Sequence, residues 1–87
     1  MNTYKLYIGA NNSTGKVDNG IIERILNKFY DGYTIEHATG YWKGTREPSV
    51  LVTISSENDI VPVIYKLKKD LKQDAIAYQV VEELRFI

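Results

Sequence analysis

The stretch Tyr7-Ile8-Gly9-Ala10-Asn11-Asn12-Ser13-Thr14-Gly15-Lys16 sets a glycine, a polar loop and a Gly-Lys pair between a strand-like run and a helix-like one. Phosphate-binding loops have the same order of parts: backbone N–H groups and the lysine cradle the phosphates, and a following Ser or Thr holds magnesium. The spacing fails here. Five residues separate Gly9 from the Gly15-Lys16 pair, one more than that loop has, and the next residue is the aliphatic Val17. The remaining reading is a β–α connection with Gly15 in a turn. Asn11, Asn12, Ser13 and Lys16 would then offer donors beside a helix N-terminus, a setting that suits a small anion.

The other chemistry-bearing residues are sparse. His37 is the one histidine and there is no cysteine, which leaves thiolate catalysis, disulfides and cysteine–zinc sites out and expects no metal or other cofactor. Glu36 and His37 are strand neighbours and point to opposite faces, so they make no catalytic pair, and His37 is expected to be partly buried and structural. Tyr41-Trp42-Lys43 with Arg46 is the strongest candidate recognition surface, because Trp, Tyr and Arg combine apolar area with polar reach. Trp42 closing one end of the core is the structural alternative.

These residues need a scaffold, and 87 residues supply one domain with one small core, spanning 1–87. Eleven basic residues balance eleven acidic ones, which argues against a nucleic-acid binder, whose affinity rests on neutralising phosphates. No apolar stretch reaches membrane-spanning length, and the N-terminal MNTYKLYIG enters a strand pattern directly, so the expected location is cytoplasmic. The abundance of Ile, Lys, Asn and Tyr points to an AT-rich genome, such as that of a low-GC bacterium or its phages.

Tyr4–Ile8 alternates as a strand with Leu6 and Ile8 on one face. Asp18 is a natural cap for a helix whose buried stripe is Ile22, Ile25, Leu26 and Phe29, ending at Asp31-Gly32 with Gly32 left-handed. Tyr33–Ala38 alternates again and runs on to Trp42, with Gly40 marking a bulge or a close backbone approach. A turn over Lys43–Pro48 leads to Ser49–Ile54, apolar enough for a central strand shielded on both faces. A second helix opens at Asn58 or Asp59, with Pro62 in its first turn and Ile60, Ile64, Leu67 and Leu71 inward. Its lysines, 66, 68, 69 and 72, read as a solvated face. The last strand is Ala75–Val81, and Leu84–Ile87 would add a short further one.

The order β-α-β-β-α-β with right-handed crossovers gives an α+β, ferredoxin-like sandwich: a four-stranded antiparallel sheet with both helices on one face. The uncovered face would carry Tyr7, Leu51, Ala77 and Val81, an apolar patch suited to a homodimer. RNA stacking on that face is disfavoured, since the central strands offer Tyr7 but otherwise Leu51 and Thr53.

The chain also resembles a bacterial family of small domains of unknown function, some of whose members are described as lipoproteins. The residues that carry the resemblance are Tyr7-Ile8-Gly9, Gly15, Asp18, Phe29-Tyr30-Asp31-Gly32-Tyr33-Thr34, Gly40-Tyr41-Trp42, and Tyr65-Lys66 leading to Gln73-Asp74. It departs from the pattern at Ile21-Ile22, where an aromatic is common, and no export signal is expected from its opening residues. The resemblance implies the fold and no activity.

The functional expectation is a non-enzymatic binding or interaction module. It would be an accessory protein of a phage or mobile element that blocks a host defence protein or sequesters a small signalling nucleotide. The alternative is a small enzyme of the dimeric α+β-barrel type, with a pocket near His37 and Tyr33.

Overall fold

The computed structural model describes residues 1–11 and 13–83. The chain forms β1 (Asn2–Gly9), α1 (Asn19–Phe29), β2 (Thr34–Trp42), β3 (Thr45–Ser56), α2 (Val61–Asp70) and β4 (Ala77–Glu83). All neighbouring strands are antiparallel, in the order β2-β3-β1-β4. This is the ferredoxin-like arrangement, with β1 and β3 central as their apolar residues require. Asn12 and the expected short strand over 84–87 lie outside the described residues.

The core follows from the alternation of the central strands. Leu6 pairs with Val52, Ile8 with Val50 and Tyr4 with Ile54, so these six share one face, and all are buried. Both helices cover that face. Ile22, Ile25 and Leu26 of α1 meet Val63, Ile64 and Leu67 of α2, with Ile60 and Leu71 at its ends. Burying a side chain of this size stabilises the fold by roughly 1.5–3 kcal/mol.

Several local expectations are corrected. Phe29 is 53 % exposed, because α1 ends there and Tyr30 leaves it in an extended conformation. Gly32 therefore does not serve as a left-handed cap; the glycines with positive φ are Gly15 and Gly44. α2 begins at Val61, since Asp59 Oδ1 accepts from the Val61 N–H and leaves Asn58 and Asp59 ahead of the helix. β3 is shielded on one face only, its alternate residues Ser49, Leu51 and Thr53 being half-buried. Gly40 sits in unbroken register opposite Glu47, without a bulge.

The turn between β2 and β3 is shorter than Lys43–Pro48. Lys43 and Gly44 both take positive φ, 51° and 78°, and connect the strands in two residues, as tight hairpins do. β1 pairs with β3 only as far as Gly9 opposite Ser49, so residues 39–48 form a two-stranded arm beyond the sheet. The described residues form an elongated body, 40 × 24 × 17 Å.

Candidate functional site

The β1–α1 connection folds on one side chain. Asn11 Oδ1 accepts from the N–H groups of Ser13 and Thr14, at 2.8 and 3.2 Å. Its backbone closes the ring: the Gly15 N–H donates to the Asn11 carbonyl at 2.8 Å, and the Asn11 N–H to the Lys16 carbonyl at 2.9 Å. Gly15 is left-handed (φ 69°), as the turn demands. Asp18 then caps α1, its Oδ1 accepting from the Ile21 N–H at 3.1 Å.

The same loop is tied to the far end of α2. Asn11 Nδ2 donates to the Leu71 carbonyl at 3.2 Å, and Gln73 Nε2 donates to the Ala10 carbonyl at 3.2 Å. α2 ends in a doubly bonded cap: the Lys72 N–H reaches the Lys69 carbonyl and the Gln73 N–H reaches the Lys68 carbonyl. Lys72 occupies the left-handed position of that cap (φ 55°), where glycine is the usual residue.

Between the loop and this helix end lies a cavity of about 470 Å³. Asn11, Thr14, Lys16 and Asn19 line one side of it, and Asp70, Lys72 and Gln73 the other, with Val17, Ile21 and Leu71 as its apolar surface. Its electrostatics come from both side chains and backbone. The N-terminus of α1 and the C-terminus of α2 border the same space, and helix ends carry about half a positive and half a negative charge respectively. Lys16 and Lys72 add cations, and Asp18 and Asp70 add carboxylates. Asp70 also meets Lys66 Nζ at 3.4 Å on the outside of the helix. The cleft is therefore lined by groups of both signs. Among the described residues no group of three or more His, Cys, Asp or Glu is placed to hold a metal.

The structure sorts the sequence candidates into three places. Asn11 and Lys16 both line the cleft, Asn11 as the residue that builds the loop. Tyr41, Trp42, Lys43 and Arg46 lie on the arm. Tyr41 and Trp42 are 70 % and 68 % exposed on opposite faces, and Lys43 Nζ stands 5.9 Å from the Trp42 ring centroid. Trp42 thus does not close the core. On the open face, Tyr7 pairs with Leu51 on one side and Ala77 on the other, making one apolar row. The next row is Thr53, Lys5 and Gln79, so that face alternates between apolar and polar rows, and the Tyr7 hydroxyl donates to Gln79 Oε1 at 2.7 Å. Val81 is exposed near the irregular register at the end of β4.

Neither His37 nor Tyr33 lines the cavity of about 470 Å³ or the smaller one beside α2. His37 is exposed opposite Val50, not partly buried, because Ile35 is the last residue of that strand packed against the core. Tyr33 is half-buried and donates its hydroxyl to Asn27 Oδ1 at 2.7 Å. A smaller cavity, about 250 Å³, lies between α2 and β4 beside Tyr65, Lys68 and Tyr78, and neither residue lines it. Burial pushes the Tyr30 hydroxyl above the usual phenol range, and Tyr4 and Asp59 add to the effect.

The cleft residues that sequence reasoning missed are Asn19, Asp70, Lys72 and Gln73. Asn11 and Leu71 lie 60 positions apart, and no local pattern announces that contact. Lys72 gave no signal, since a lysine after a helix reads as solvated.

No protein-family model matches the chain, and no curated protein matches it. Among solved structures, a phage SAM lyase in its apo state is similar, with a TM-score of 0.67 over 93 % of this chain and 79 % of that one, at 17 % identity. That likeness shows a shared α+β fold. Among the described residues no helix is long and apolar enough to cross a membrane.

Proposed function

We propose that this chain is a phage accessory protein that takes up a small charged metabolite of nucleotide type in the cleft between the β1–α1 loop and the end of α2. Sequestering that metabolite would deprive a host system of it. The observation that carries the reading is the meeting of opposite helix ends, two lysines and two carboxylates around one cavity of about 470 Å³. Such a site favours a ligand with separated charges and an apolar body, and its volume suits a molecule of that size. The structural neighbour adds a concrete candidate. It is a phage SAM lyase, and SAM joins an amino-acid end bearing both charges to a nucleoside. The apolar wall of Val17, Ile21 and Leu71 would face the ring, with Lys16 and Lys72 at the carboxylate.

A second reading is turnover of the ligand instead of its sequestration, and the fold shared with a lyase favours it. One experiment addresses both. Calorimetric titration with SAM, ATP and a cyclic dinucleotide tests binding, and chromatography of the same mixtures tests for products. Saturable binding of one of these by the native chain, weakened by Lys16→Ala, supports the cleft. Absence of binding by all three would remove it.

A further inference from the structure

β4 lies at the edge of the sheet: β1 pairs with one side of it, and among the described residues no strand pairs with the other. Such an edge presents a row of unpaired N–H and C=O groups, which proteins usually guard with lysine, proline or a bulge. Residues 77–81 include neither lysine nor proline, and the register irregularity falls between Val80 and Glu83. Tyr78 pairs with Leu6 and Val80 with Tyr4, so both stand on the helix side of the strand, and both are exposed. Between this face and α2 lies the cavity of about 250 Å³. Val61, Ile64 and Ile76 give it an apolar lining, and Tyr65, Tyr78 and Lys68 also line it. Lys68 Nζ stands 5.9 Å from the Tyr65 ring centroid, which keeps a cation beside the apolar space. None of these residues lines the larger cleft.

We propose that this edge and cavity form a docking groove for an extended acidic segment of a partner protein, which pairs with β4 as an added strand. Strand addition draws its affinity from main-chain hydrogen bonds along the edge, and pockets for alternate side chains set its specificity. Residues two apart in an added strand share a face, so a large apolar side chain enters the cavity and a carboxylate two positions away reaches Lys68. Charge selects this occupant. α2 carries Lys66, Lys68 and Lys69 against the single carboxylate of Asp70, which already meets Lys66. A second copy joined antiparallel, edge to edge, would set two such helices side by side and bring their lysines together. An acidic strand is instead drawn to them.

The probe is a displayed library of random short peptides, selected on the native chain, with a synthetic representative of the enriched sequences titrated by fluorescence anisotropy. Selection should enrich peptides with a large apolar residue and an acidic residue at alternate positions. Lys68→Glu should weaken the representative at least about ten-fold with its melting temperature kept, and Lys68→Arg should bind it within a few-fold of the native chain. Methylation of alternate backbone nitrogens of the peptide should weaken it likewise, because strand pairing needs those donors. Selection that yields no such pattern, or a representative that binds Lys68→Glu as it binds the native chain, overturns the proposal. So does a dimer of the native chain in sedimentation that Val80→Arg splits, since the edge then belongs to a second copy. Where Lys68→Glu fails to fold, Tyr65→Ala, at an exposed position of the same helix, replaces it with the same expectation. The cleft is tested separately by SAM titration, so failure at this groove leaves that reading standing.

Discussion

Asn11 and Leu71, sixty residues apart in sequence, are joined by a hydrogen bond from the Asn11 amide to the Leu71 carbonyl at 3.2 Å. The bond does two things at once. It satisfies a carbonyl at the C-terminal end of α2, where helices leave such groups without internal partners, and it fixes the width of the cleft. The Gln73 side chain repeats the connection in the other direction, to the Ala10 carbonyl.

Asn11→Ala removes that donor and also the acceptor of the Ser13 and Thr14 N–H groups, so it should destabilise the fold by about 1–3 kcal/mol. Asn11→Asp keeps the loop acceptor and loses only the bridge to Leu71, so the loss should be smaller, near 1 kcal/mol. Urea denaturation of the three proteins measures both values. Equal stability of Asn11→Ala and the native chain would show that the loop is held by other means.

Lys72 holds a left-handed conformation (φ 55°) in the cap of α2. A residue with a Cβ pays for this, whereas glycine does not, so Lys72→Gly should raise stability by about 0.5–1 kcal/mol. The same change removes one of the two lysines that line the cleft. Its expected signature is a higher melting temperature together with weaker SAM binding. Replacement that stabilises the chain and leaves affinity unchanged would take Lys72 out of the proposed site.

Tyr30 gives a pH dependence whose sign is fixed. Burial raises its hydroxyl above the ordinary value of 10.0, with Tyr4 and Asp59 contributing further. In the unfolded chain the phenol ionises first, so the folded state holds the proton longer. The associated stability is complete below the unfolded value and is lost as the pH climbs from there through the folded value. Denaturation midpoints measured from pH 8 to 11 should fall more steeply for the native chain than for Tyr30→Phe. Parallel curves would mean that Tyr30 is as solvated folded as unfolded.

The parts legible in the sequence are those set by local periodicity. Alternation at Leu6 and Ile8, the stripe Ile22, Ile25, Leu26, and the cap at Asp18 all specify their elements within a few residues. Element order then gave the sheet order, because short right-handed connections leave few alternatives. The cleft was half-legible: the polar loop with Asn11 and Lys16 is a local feature, but its opposite wall depends on where α2 ends in space. The exposure of Phe29 and His37 depends on helix length against strand length, which periodicity does not encode. Trp42 likewise looked suited to a core until β3 proved to run past the end of β1.

Trp42 supplies the test that separates the arm from the cleft. It is 68 % exposed on a two-stranded arm, stacked loosely under the Lys43 ammonium, and it lines neither cavity. Trp42→Ala should therefore change stability by no more than about 0.5 kcal/mol, as exposed positions away from the core do. Leu26→Ala, at a fully buried position under the same sheet, should cost about 2–5 kcal/mol. If the small-molecule reading is right, Trp42→Ala also binds SAM as the native chain does. A large loss of affinity with the fold intact would move the binding surface from the cleft to the arm, and with it the function from metabolite uptake to contact through exposed aromatics.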